Sequence, residues 1–174
     1  MVDRLILVGM MGAGKTTIGH LLADRLGWRS FDSDAQIMAD TGHSVPELFA
    51  EKGEAAFRAE EERVLTEALT GDEPVVVSAA GGVVLSPSNR DLLARSGTVV
   101  WLRADPEVLA RRVGDGAGRP LLDDDPASSL AALYEVRRPL YESVASLVVD
   151  VDACTPDEVV ERILAGTGLP GRPA

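Results

Sequence analysis

Lysine is almost missing from this chain: Lys15 and Lys52 are the only two among 174 residues, beside fifteen arginines. Seventeen cations face 28 carboxylates, which leaves a net charge of −11 and a pI near 4.6. A field of that sign argues against nucleic acid and anionic membrane as partners. A small anionic ligand would have to be held by a few locally placed cations. Cysteine is limited to Cys154, which excludes an internal disulfide and permits a reducing compartment. Aromatic residues make up 4%, so Leu, Val, Ile and Ala must fill the core, and an apolar content of 45% suffices for one. No apolar run approaches the roughly 20 residues of a membrane-spanning helix. Glycines and Lys15 interrupt the apolar start, and no A-x-A cleavage site follows, so no secretory leader is expected. The bulk numbers therefore point to a cytoplasmic protein with one domain over residues 1–174.

Short apolar runs alternate with helical periods, the pattern of an α/β domain built on a mostly parallel sheet. Leu5–Val8, Arg29–Phe31, Val75–Ser78, Thr98–Leu102 and Leu147–Val149 read as five strands. Helices are predicted from Lys15 to Leu26 with Gly27 as terminator, and from Ala35 to near Gly42. Ser44 and Glu47 form a capping-box pattern before a short helix, and a long charged helix runs from Gly53 to Thr70. Further helices start at Ser86-Pro87, at Asp105-Pro106, near Ala127 and at Thr155. The glycine-rich polar stretch within residues 114–125 reads as a mobile lid, and residues 166–174 as a frayed tail.

Gly9-Met10-Met11-Gly12-Ala13-Gly14-Lys15-Thr16 fits G-x-x-x-x-G-K-[ST], with a strand before it and a helix after it. In that motif backbone N–H groups turn inward on phosphate oxygens at a helix N-terminus. Gly12, Ala13, Gly14, Lys15, Thr16 and Thr17 are the expected nucleotide contacts. Lys15 would reach the β- and γ-phosphates of ATP, and the Thr16 hydroxyl would ligate Mg²⁺. Asp32 and Asp34 follow the next strand at its carboxyl end, where parallel sheets place ligands. Alternate residues of an extended segment point the same way. Asp32 could hold Mg²⁺ through water, and Asp34 could accept the proton of an attacking hydroxyl. Simple helix capping by either carboxylate is the competing reading. The third apolar strand, Val75–Ser78, is followed by no acid, which leaves Asp32 as the available metal-organising carboxylate.

An ordered set of motifs then resembles the shikimate kinase family over nearly the whole chain. The set is the P-loop, Asp32-Ser33-Asp34, Gly53-Glu54-x-x-Phe57-Arg58, Ala80-Gly81-Gly82, Arg119-Pro120-Leu121-Leu122 and Arg137-Arg138-Pro139-Leu140-Tyr141. The resemblance implies a three-layer P-loop NTPase fold of the nucleoside-monophosphate-kinase type, with sheet order 2-3-1-4-5. It implies transfer of the ATP γ-phosphoryl group to the 3-hydroxyl of shikimate, in aromatic amino-acid biosynthesis, by a protein acting as a monomer. It also implies that Asp34 contacts substrate hydroxyls, that Arg58 and Arg137 bind the substrate carboxylate, that the backbone at Gly81 and Gly82 approaches the ring, and that Arg119 brings a lid cation to the phosphates. A planar guanidinium suits a carboxylate, because it donates to both oxygens at once.

Competing readings exist for these residues. Arg58 could pair with Glu54 or Glu62 at helical spacing, and Gly81-Gly82 could be a plain turn. Arg137 and Arg138 diverge on a helix, and the family register selects Arg137. Arg112, and less readily Arg111, could also enter the cleft. The family's usual triple glycine reads Ala80-Gly81-Gly82, which requires a negative φ at Ala80. Where the family often carries an arginine near the adenine, this chain has Asp152-Ala153-Cys154-Thr155, so backbone or apolar contact with the base is expected. Two other activities fit the cradle: a gluconate- or nucleotide-kinase-like enzyme, and an ATP-binding module without turnover.

Overall fold

Four apolar runs and the more polar segment Arg29–Asp32 form five parallel strands among the described residues: β1 (Arg4–Val8), β2 (Arg29–Asp32), β3 (Val75–Ser78), β4 (Thr98–Arg103) and β5 (Leu147–Asp150). The computed structural model describes residues 3–114, 121–122 and 125–171. The strands lie in the order β2-β3-β1-β4-β5, as the family resemblance implied. Leu5, Ile6, Leu7 and Val8 are all 0% exposed. Successive strand residues face opposite sides, so burial of all four means that both faces of the sheet are covered by helices. Among the described residues seven helices surround it: α1 (Lys15–Leu26), α2 (Ser33–Thr41), α3 (Val45–Thr70), α4 (Pro87–Ser96), α5 (Pro106–Val113), α6 (Pro126–Val144) and α7 (Pro156–Thr167). α1 packs with α7, and α4 and α6 pack together against β4.

The helix boundaries follow from local chemistry. Asp32 starts α2 two residues earlier than the pattern suggested, because its Oδ1 accepts from the backbone N–H of Asp34 and of Ala35. The Ser44–Glu47 capping box forms as expected. The short helix after it and the long helix from Gly53 are one element, α3, kinked at Gly53 (φ 80°, ψ 173°). That backbone geometry is open to glycine at little cost. The Thr155–Glu158 box opens α7. α7 continues two residues into the segment read as a frayed tail, Gly168 caps it in the left-handed conformation, and Leu169 packs against the core. A 3₁₀ turn, Val83–Leu85, had no counterpart in the sequence reading. Among the described residues no helix is long and apolar enough to cross a membrane.

Register decides where the site falls. Leu7 lies opposite Ser78, Asp32 opposite Ser78, and Val8 opposite Trp101. The carboxyl ends of β1, β2 and β3 therefore meet at one edge, and the segments following them, at Gly9, Ser33 and Ala79, open on the same space.

Candidate active site

A cleft of about 390 Å³ occupies that edge. Its phosphate end is the loop between β1 and α1. Gly9 sits there with φ 147°, and a Cβ at this position would lie 2.6 Å from the Leu102 carbonyl oxygen, so no side chain fits. Gly12, Gly14, Lys15, Thr16 and Thr17 line the cleft. Ala13 does not: its side chain is buried and its N–H donates to the Met10 carbonyl. The Lys15 ammonium donates to the carbonyls of Gly9 (2.9 Å) and Met10 (3.0 Å), which holds it along the loop. Ser78 occupies the end of β3, where the sequence has no acid, and its hydroxyl donates to the Lys15 carbonyl (2.9 Å), tying β3 to the first turn of α1.

Asp32 caps α2, the competing reading of the sequence, and also reaches the P-loop. One carboxylate oxygen caps α2, and the other accepts from the Thr16 hydroxyl at 2.6 Å. A hydroxyl and a carboxylate side by side at the P-loop supply the hard oxygen donors that Mg²⁺ takes together with phosphate and water. Among the described residues no group of three or more His, Cys, Asp or Glu side chains gathers.

The opposite end of the cleft is built by α2, α3, α6 and the turn after β3. Asp34, Arg58, Gly81, Gly82 and Arg137 all line it. Arg58 and Arg137, on helices remote in sequence, thus open on one chamber. Arg137 is 2% exposed, and its Nε has no hydrogen-bond partner. Its neighbour Arg138 is exposed, in line with the family register. Arg58 donates to Glu54 through Nε (3.3 Å) and Nη2 (3.0 Å), and to Glu61 through Nη1. Glu62, the other partner weighed from helical spacing, instead accepts from the Ser88 hydroxyl (2.9 Å). Arg112 also lines the cleft, donating to the carbonyls of Gly12 (3.4 Å) and Val151 (2.8 Å). Arg119 and most of the proposed lid, residues 115–120 and 123–124, lie outside the described residues.

Two residues in and behind this chamber, Glu61 and Tyr141, were given no role in the sequence reading. Glu61 is 2% exposed, and its Oε1 lacks a partner. Burial pushes its carboxyl above the ordinary range, the neighbouring charge of Asp34 adds to the rise, and the guanidinium groups of Arg58 and Arg137 oppose it. The signal was available: Glu61 lies three residues after Arg58 and so shares its helix face. It was hidden in a run of charged neighbours that are solvated. Tyr141 is the second. Fully buried, it stacks on Trp101 at 5.7 Å between ring centroids, and its hydroxyl donates to the Gly81 carbonyl at 2.6 Å. Burial pushes the Tyr141 hydroxyl up to about 12, against the opposing charge of Arg137, so it stays a donor through the physiological range. Ala80 has no positive φ, as its methyl group requires, and its N–H donates to the Ser33 hydroxyl at 2.8 Å.

A phosphate loop on a parallel sheet, a hydroxyl–carboxylate pair beside it and a separate cationic chamber define a P-loop phosphotransferase with a small anionic acceptor. A family model described as shikimate kinase matches residues 11–167. This chain belongs to the shikimate kinase family. The shikimate kinase of Halorhodospira halophila is 46% identical over 99% of this chain and 96% of that protein. The solved shikimate kinase of Acinetobacter baumannii in complex with shikimate superposes with a TM-score of 0.91 at 35% identity, covering 94% of this chain and 92% of that one. A solved gluconokinase from Sinorhizobium meliloti superposes less closely, with a TM-score of 0.59 at 26% identity over 95% and 91% of the two chains.

Proposed function

We propose that this protein transfers the γ-phosphoryl group of ATP to the 3-hydroxyl of shikimate, giving ADP and shikimate 3-phosphate, a step of aromatic amino-acid biosynthesis. The observation that carries this is the meeting of Arg58 and Arg137 in one chamber with Asp34, at the other end of a cleft that begins with the P-loop. Two guanidinium groups converging there suit a single carboxylate, and a carboxylate beside them suits hydroxyl groups. A gluconate-type acceptor is also a carboxylate, but the structural likeness runs much further toward the shikimate enzyme than toward the gluconokinase.

Catalysis then rests on positioning and charge neutralisation. The P-loop backbone and Lys15 hold the β- and γ-phosphates. Arg58 and Arg137 fix the acid so that one ring hydroxyl faces the phosphate, and Asp34 orients that hydroxyl and takes up its proton. Arg119 is assigned to the phosphates from the lid, excluding water as the lid closes. Thr16 and Asp32 would hold Mg²⁺, which supplies charge neutralisation on the phosphate oxygens when bound. The protein is assigned to the cytoplasm and to a monomer.

The test is a coupled assay of ADP release. Release is expected with shikimate and not with gluconate, nucleoside monophosphates or water alone. Release with gluconate alone would assign the gluconate-kinase reaction, and tight ATP binding with no product from any acceptor would assign a module without turnover.

A further inference from the structure

The turn after β3 carries glycine at two positions whose backbone does not require it. Gly82 has φ −88° and ψ −2°, open to any residue, and Gly81 lies outside the left-handed region that favours glycine. The demand comes from what lies against them. A Cβ on Gly82 would stand 2.0 Å from Arg58 Nη1, 2.7 Å from its Cζ and 2.9 Å from its Nη2. The whole guanidinium of Arg58 therefore lies on the bare face of Gly82. A Cβ on Gly81 would come within 3.4 Å of Arg137 Nη1 and 3.3 Å of the Gly9 carbonyl oxygen.

The same turn is fastened at three points. The Ala80 N–H donates to the Ser33 hydroxyl, one residue before Asp34. The Gly81 carbonyl accepts from Tyr141, which stands one helical turn after Arg137 on α6. Arg58 is clamped onto Gly82 from the other side by Glu54 and Glu61. All three elements that supply the acceptor chamber thus meet on residues 80–82.

We propose that Gly82 is a positioning residue for the substrate carboxylate: it is the seat of the Arg58 guanidinium, as Gly81, held by Tyr141, is the seat of Arg137, so that two consecutive residues set the span between the two cations. This rests on the reading of those arginines as the carboxylate clamp. It differs from a role for the turn in touching substrate through its backbone, because here glycine matters for the volume it leaves to a side chain. Adding one methyl group at Gly82 displaces only the end of a flexible side chain, so the fold should survive while the clamp loses its span.

The experiment measures shikimate and ATP binding by calorimetry, with melting temperature and kinetics, for wild type, Gly82→Ala, Arg58→Lys and the double variant. In Gly82→Ala the shikimate Kd is expected to rise about tenfold or more, since a charge-assisted hydrogen bond is lost, while ATP affinity and melting temperature hold. Because Gly82 acts through Arg58, the methyl group should cost much less in the Arg58→Lys background. Tyr141→Phe, which loosens Gly81 without adding volume, should weaken shikimate binding and leave ATP binding unchanged. An unaltered shikimate Kd in Gly82→Ala overturns the proposal, and so does an equal loss in both Arg58 backgrounds. A parallel loss of ATP binding and melting temperature would also overturn it, by making the glycine a folding requirement. If the wild type does not bind shikimate, the proposed function fails. The seat is then judged separately by the Arg58 Nε–Hε NMR resonance, which must shift in Gly82→Ala.

Discussion

Glu61 and Asp34 are two carboxylates of one chamber with opposite situations, and each makes a different prediction. Asp34 is exposed to the cleft and is assigned to the attacking hydroxyl. Asp34→Asn keeps the shape and removes the base, so ATP affinity should hold while kcat falls by about 10²–10⁴. Near-normal kcat in that variant would remove Asp34 from the proton-handling role. Glu61 is buried, and its raised pKa means that the folded protein binds this proton more tightly than the unfolded chain does. The stability it contributes is full below the ordinary value of 4.5 and is lost as pH rises through the raised value. Glu61→Gln does not titrate. The unfolding free energy of the variant relative to wild type should therefore climb with pH above about 4.5, as read by urea titrations. A difference that stays flat with pH would show that burial does not govern this carboxyl.

Among the elements, the caps are local and the contacts of the acceptor chamber are not. The Thr155–Glu158 box closes on itself: the Thr155 N–H donates to Glu158 at 2.7 Å, and the Glu158 N–H to the Thr155 hydroxyl at 3.3 Å. Thr155→Ala should cost about 1 kcal/mol, a fall of roughly 2–4 °C in melting temperature for a chain of this size. Because α7 contributes no residue to the acceptor end of the cleft, KM for the acceptor should be unchanged, and a rise would show coupling between α7 and that chamber. α3 behaves differently. Its kink at Gly53 divides a capped entry from the segment that presents Glu54, Arg58 and Glu61, and the partners of that segment lie on the turn after β3 and on α6.

For the molecule as a whole, β1 is the strand with a hydrogen-bonded neighbour on each side at the centre of the sheet, and its residues Leu5–Val8 are wholly buried. Those amides should exchange only through global unfolding, while edge strand β5, with Val148 41% exposed, should exchange through smaller openings. Hydrogen exchange followed along the chain checks this, and equal protection of β1 and β5 would mean the sheet opens as one unit. β1 leads directly into the P-loop, so the nucleotide cradle rests on the central, fully buried strand of the sheet. The acceptor chamber is hung on α2, α3 and α6 around it.

The strands, the P-loop, the caps at Ser44 and Thr155 and the capping of α2 by Asp32 were readable in the sequence because each depends on residues a few positions apart. Periodicity and hydrogen-bond geometry act over that range. The family resemblance supplied the sheet order and the choice of Arg137 over Arg138, which spacing alone left open. Three things were decided only by the tertiary structure: the burial of Glu61 beside Arg58, the tether from Tyr141 to Gly81, and the lodging of a guanidinium on Gly82. Each depends on elements remote in sequence closing over the residue concerned. Whether a charged residue on α3 is solvated or entombed depends on what the sheet places opposite it, and no local pattern carries that information.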